Sequence, residues 1–181
     1  ASVFAGIEGS RPMLVEIQAL TAPSAFGTPR RAVVGWDSGR LNMILAVLES
    51  RCGLPFGSND VYLNVAGGMK ISEPAADLAV AAALVSSLTD VSVPTEAIVF
   101  GEIGLSGEIR PVSQSGARLK EAEKLGFSQA IMPKRKGTKN GRKPGISSGL
   151  AREEIGHLKD LLSLLSPRTA GSRFKAVGGG A

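Results

Sequence analysis

From Pro12 to Leu20 the chain alternates: Val15, Ile17 and Ala19 fall on one side, and Leu14, Glu16, Gln18 and Leu20 on the other. A period of two places successive side chains on opposite faces of a strand. Residues 2–9 read as a second strand, and Gly9-Ser10-Arg11-Pro12 supplies the turn of a hairpin. Residues 21–31 are rich in turn formers and predict a surface loop, followed by a short strand over 32–35. The period then changes. Leu41, Ile44, Leu45 and Leu48 recur at helical spacing, with Asp37 or Ser38 where an N-cap belongs. Gly53 and Pro55 close that helix, which runs over about 39–51.

The rest of the chain is organised around residues 64–88, NVAGGMKISEPAADLAVAAALVSSL. They read as the end of a strand over 60–66, a glycine turn, an extended loop, and a helix from Ala75 to about Thr89. Pro74 suits the first turn of a helix, where its missing N–H is not needed. The alanines leave little bulk, so this helix can pack very close to a sheet. Residues 97–101, nearly all apolar, predict a strand buried on both faces. Gly104 and Gly107 bracket a tight hairpin that returns through 108–112. A helix over 113–125 with Gly126 after it, a strand over 128–133 and a last amphipathic helix over 150–165 complete the pattern. Hairpins mixed with crossover helices predict an α+β domain over residues 1–165 and a disordered basic tail over 166–181.

Charge changes this picture locally. Of the 21 cations, six lie in residues 134–149 and three in the tail, two stretches without an acid. The 12 cations left face 16 acids, so the body is acidic and the net +5 comes from one loop and one tail. No apolar run approaches the roughly 20 residues of a membrane helix. The start of the chain lacks the charged and apolar regions of a secretion signal, and the expected location is cytoplasmic. One cysteine, Cys52, excludes an internal disulfide, and one histidine, His157, argues against a histidine-rich metal site.

A turn that delivers a loop onto a helix N-terminus can hold a nucleophile, with the orphan N–H groups as an oxyanion hole. Here the mouth of the helix reads Glu73, Pro74, Ala75, Ala76, Asp77, with no serine, threonine or cysteine. There is no Walker-type phosphate loop and no G-x-S-x-G elbow. A Ser–His–Asp triad would need His157, which falls on the polar side of the last predicted helix, a structural position.

RPMLVEIQAL, PRRAVVG, the 64–88 core, FGEIGLSGEIRPV and QAIMPK, in that order, resemble the proteolytic domain of Lon. They are closer still to the Lon-like C-terminal domain of the bacterial RadA (Sms) family of DNA repair and recombination proteins. The likeness covers roughly residues 2–133. It implies the α+β fold of the Lon proteolytic domain, which is also that of the second domain of ribosomal protein S5. It places Ala75 where active Lon has its serine and Gly116 where it has its lysine, so the Ser–Lys dyad is missing. The alternative is an active Lon-like serine peptidase with a non-standard nucleophile, drawn from Ser72, Ser113 or Ser115 with Lys120 nearby.

The resemblance further implies a catalytically inactive, ring-forming scaffold, a hexamer by likeness, that binds single-stranded or branched DNA beside an upstream RecA-like ATPase. ATP, Mg and Zn are expected in upstream domains, and no cofactor in this chain. Phosphate contacts need cations on ordered structure. The candidates in the segments shared with RadA are Arg30, Arg31, Arg40, Lys70 and Arg110, and the Lys134–Lys143 loop is their rival.

Overall fold

The computed structural model describes residues 1–25, 27–135 and 149–166. The alternating stretch pairs as expected. Strands β1 (Ser2–Glu8) and β2 (Arg11–Pro23) form an antiparallel hairpin with Ser2 opposite Ile17 and Glu8 opposite Arg11. β2 runs further than predicted, because Thr21 and Pro23 pair with Val61 and Asn59 of β4 (Asn59–Val65). The predicted 21–31 loop is correspondingly shorter. β3 (Arg31–Val34) lies parallel to β4 at the sheet edge.

Helix α1 (Ser38–Cys52) starts at Asp37, whose carboxylate accepts the Arg40 N–H at 2.8 Å. It ends at Gly53 in the left-handed region (φ 69°), where an L side chain would be strained. Helix α2 (Asp77–Thr89) follows a tight 3-10 turn over Pro74–Ala76, so the regular helix begins two residues later than predicted. Every residue from Asp77 to Ser86 is buried. The alanines bring the helix backbone onto the hairpin, where the Ser2 hydroxyl donates to Ala79 O at 2.6 Å. Burying Leu78, Val80, Leu84 and Val85 contributes about 1.5–3 kcal/mol each.

The remaining elements are β5 (Ala97–Val99), β6 (Glu102–Ile103), β7 (Ile109–Arg110), α3 (Ser115–Lys124), β8 (Gln129–Pro133), β9 (Ala151–Ile155) and α4 (Leu158–Leu164). The main sheet has seven strands in the order β3-β4-β2-β1-β5-β8-β9, and β6 and β7 form a separate ribbon. The β1–β2 and β2–β4 pairs are antiparallel and the other four are parallel. This is a mixed, largely parallel sheet, compatible with the α+β expectation.

The predicted 150–165 helix is wrong in its first half. Residues 151–155 are an edge strand parallel to β8, and only residues 158–164 are helical. Arg152, Glu153 and Glu154 read as a solvated helix face, yet charge is what an exposed sheet edge carries to avoid further pairing. His157 accordingly leaves the polar side of a helix and becomes the cap of α4. Its Nδ1 accepts the Lys159 N–H at 3.1 Å, so Nε2 carries the proton and donates to Ser106 O at 3.0 Å. Asp160 completes the cap, accepting the His157 N–H at 3.2 Å. The expected tail, beyond Ser166, lies outside the described residues, as do residues 136–148 of the basic loop.

Candidate functional site

The mouth of α2 is bound in on all sides. Ala75 is only 3% exposed. Its carbonyl accepts the Gly101 N–H at 2.8 Å, and the Leu78 N–H donates to Gly101 O at 3.0 Å, so the turn is stitched to the segment between β5 and β6. The Ala76 N–H donates to Glu73 O at 3.1 Å and the Asp77 N–H to Pro74 O. The donors from Ala76 to Leu78 are therefore spent, two inside the turn and one on Gly101 O. Of the N–H groups that an α-helical start would leave free, those of Ala76, Asp77 and Leu78 are thus already engaged.

Asp77 is buried at the helix entrance and held by a bidentate fork. Arg40 Nε donates to one carboxylate oxygen at 2.6 Å and Nη2 to the other at 2.5 Å, and the Ile103 N–H adds a bond at 3.0 Å. Burial pushes the Asp77 carboxyl above the usual carboxylate range, and the bonds from Arg40 and Ile103 pull it back only in part. The bond to Asp77 in turn raises Arg40. The pair ties α1 to α2 and to the β6–β7 ribbon.

A second ion pair closes the other flank. Arg118, on the buried side of α3, is 1% exposed. Its Nε donates to Ser113 O at 3.0 Å and its Nη1 to Ala5 O at 2.9 Å, while Nη2 reaches the Glu73 carboxylate. Its guanidinium carbon stands 5.7 Å from the centroid of the Phe100 ring. The other Glu73 oxygen accepts the Ile7 N–H at 3.0 Å. Sequence reading missed both pairs. Arg118 looks like any charge on a helix, but Asp77, heading the apolar run LAVAAALV, was a signal that a buried partner had to exist.

Gly116 lies in the first turn of α3, and a Cβ there would meet nothing within 4 Å. Lys120 is two residues from the inward Arg118, about 200° around the helix, and is exposed. Ser115 donates its hydroxyl to Val112 O at 3.3 Å, and Ser72 and Ser113 are exposed. Among the described residues none of these serines is hydrogen-bonded to a lysine or to His157. Among the described residues, no group of three or more His, Cys, Asp or Glu side chains is placed to hold a metal ion, and no helix is long and apolar enough to cross a membrane.

The five candidate DNA contacts separate into two groups. Arg30 and Arg31 stand at the start of β3, whereas Arg40, Lys70 and Arg110 surround the α2 entrance beyond its other end. Four residues of strand, about 13 Å, lie between the groups. Lys70 precedes Ile71, whose N–H donates to Gly35 O at 2.8 Å in the turn leading to α1. Arg110 pairs in register with Glu102, which lies 4.0 Å from Arg40. Arg30, Lys70 and Arg110 are exposed. Arg31 is half-buried and its guanidinium donates to the carbonyls of Arg30, Asn59 and Phe56. Arg40 is committed to Asp77. Two of the five therefore already hold the fold together.

The chain belongs to the family described as subunit ChlI of Mg-chelatase, whose model matches residues 21–136, from the end of β2 to just past β8. Its similarity to individual proteins is narrower. It is 71% identical over 133 residues to the DNA repair protein RadA of Brucella abortus (strain 2308), covering 74% of this chain and 28% of that protein. It is 55% identical over 164 residues to the DNA repair protein RadA of Rickettsia bellii (strain RML369-C), covering 91% and 35%. To the DNA repair protein RadA of Synechocystis sp. (strain ATCC 27184 / PCC 6803 / Kazusa) it is 53% identical over 133 residues, covering 74% and 26%. The chain spans between about a quarter and a third of the length of these curated relatives.

Proposed function

We propose that this chain is the non-catalytic, Lon-like platform of a RadA-type DNA repair protein, which assembles as a ring and contacts the phosphate backbone of DNA. The observation that carries this reading is the closed α2 entrance. Ala75 is buried, the N–H groups after it are spent, and the chain holding them is 71% identical over 133 residues to a DNA repair protein. A peptidase fold without the nucleophile and base of its dyad retains its shape and surface as its function. ATP, Mg and Zn chemistry belongs to the part of the relatives that this chain does not span.

Of the cations proposed for DNA, Lys70, Arg110 and Arg30 are free to meet phosphate, and none has an ion-pair partner among the described residues. Arg31 and Arg40 act on this surface by fixing β3 and the α2 entrance. The test is DNA binding as a function of salt, on single-stranded and branched substrates, with sedimentation at several protein concentrations. Neutralised phosphates release counterions, so the logarithm of affinity falls against that of salt by about 0.7–0.9 per phosphate. Substituting Lys70 and Arg110 by glutamine is expected to flatten that slope by the equivalent of one to two phosphates. A chain that binds no DNA at low salt and stays monomeric at every concentration contradicts the proposal.

A further inference from the structure

We infer that a second surface, built from Arg51, Lys134 and Lys159 around two adjoining glycine backbones, is a contact for the phosphate backbone of nucleic acid, distinct from the α2 entrance. It rests on the DNA-platform reading above. The surface is centred on the seam between Gly107 and Gly156–His157. The Ile109 N–H donates to Gly156 O at 2.9 Å and the Leu158 N–H to Gly107 O at 2.8 Å, which locks the β6–β7 ribbon to the start of α4. The cations stand around this seam. A Cβ added to Gly107 would lie 2.7 Å from the His157 ring and 3.6 Å from Arg51 Cβ. A Cβ added to Gly156 would lie 3.5 Å from Lys134 Cδ and 4.0 Å from its Nζ. Lys159 lies two residues beyond His157, and its charge is felt at Cys52, the neighbour of Arg51.

All three cations are exposed and have no ion-pair partner among the described residues. The nearby acids are turned elsewhere. Asp160 accepts the Gly156 and His157 N–H groups, and Glu108 accepts the Ser106 N–H inside its own hairpin. Three exposed cations on adjoining elements, none of them neutralised by an ion pair among the described residues, form a local positive field.

The test is fluorescence anisotropy of a labelled duplex and its single strand with the whole chain, from about 50 to 200 mM salt. Four proteins are compared: the unsubstituted chain; Arg51→Gln/Lys134→Gln/Lys159→Gln; Arg30→Gln/Lys70→Gln/Arg110→Gln; and Arg11→Gln/Lys120→Gln/Lys124→Gln. The last removes equal charge from the hairpin and the outer side of α3. The first triple variant is expected to lose about tenfold or more in affinity at low salt and to flatten the salt slope by about 0.9 for each phosphate it no longer neutralises. The equal-charge control is expected to change little. If the Arg51 triple matches that control while the Lys70 triple weakens binding, the seam does not touch DNA and the platform reading stands. If the unsubstituted chain binds neither DNA at low salt, both fall. Circular dichroism checks the fold of each variant, and Lys159→Gln alone, with an expected slope change of about 0.9, serves if a triple variant unfolds.

Discussion

Arg118 and Glu73, 45 positions apart, share one ion pair that ties the first turns of α3 to the loop entering α2. The arginine is buried and the carboxylate is 23% exposed, so the two are not equivalent. Removing Glu73 strands a charge in the interior, whereas removing Arg118 leaves a carboxylate that water can reach. Breaking a buried pair costs about 3–5 kcal/mol when the survivor stays desolvated. Glu73→Ala is therefore expected to destabilise more than Arg118→Met, which keeps most of the volume. Denaturant unfolding checks the order, and the reverse order would refute the asymmetry.

The Arg40–Asp77 pair adds a pH dependence. Asp77 is the buried member here, and Arg40 is 22% exposed at its side chain. Arg40→Ala is thus expected to cost more than Asp77→Ala. The carboxyl is raised in the folded state, so the native protein holds its proton more tightly than the unfolded chain. Whatever stability this group contributes is complete below the unfolded carboxylate value, about pH 4, and is lost as pH rises through the folded value. Without Arg40 the folded value rises further. The penalty of Arg40→Ala should therefore be smallest in acid and grow towards neutrality. A penalty constant from acid to neutral pH would show that Asp77 is not the residue left unpaired.

Most of this scaffold was legible in the sequence, and its failures share a cause. The hairpin and α1 with its Asp37 cap follow from short-range pattern, and α2 from its proline start and its run of alanine, leucine and valine, although it is buried on all sides by elements distant in the chain. The strand over 151–155 was missed because its partner, β8, lies about 20 residues earlier and local charge pointed to a helix. The spent N–H groups at α2 were missed because a 3-10 start and an α-helical start have the same composition. Arg31 and Arg40 were read as free cations since their partners, the 56–59 carbonyls and Asp77, become neighbours only after folding. Arg118 carried no local signal at all.

Gly107 and His157 test the seam between the β6–β7 ribbon and α4. Gly107 has φ +85° and a Cβ there would press on the imidazole. Gly107→Ala is expected to cost more than about 1 kcal/mol, and His157→Ala about 0.5–2 kcal/mol through the lost cap. The double variant removes the clash along with the ring, so its cost should fall short of the sum. Costs that add to within about 0.5 kcal/mol would mean that the two residues do not meet.

The strictest test of the non-catalytic reading is to refill the dyad. Ala75→Ser with Gly116→Lys returns both members of a Ser–Lys pair, and Gly116 has room for the new side chain. Peptidase activity is nevertheless expected to stay absent. Position 75 is 3% exposed, so a hydroxyl there faces protein and not substrate. The N–H groups of Ala76, Asp77 and Leu78 donate to Glu73, Pro74 and Gly101, so none of these three waits for the charge that develops on a tetrahedral intermediate. One missing oxyanion donor costs about 2.7–4 kcal/mol of transition-state stabilisation, and here the three donors that follow position 75 are engaged. A lysine also acts as a base only when its pKa is lowered by a dry, fitted surrounding, which open space around Gly116 does not supply. Casein cleavage and labelling by a fluorophosphonate probe are the measurements, on the unsubstituted chain and the double variant. Stoichiometric labelling of the double variant, with cleavage that disappears when position 75 is returned to alanine, would show that the turn can open and that only two side chains separate this chain from a peptidase.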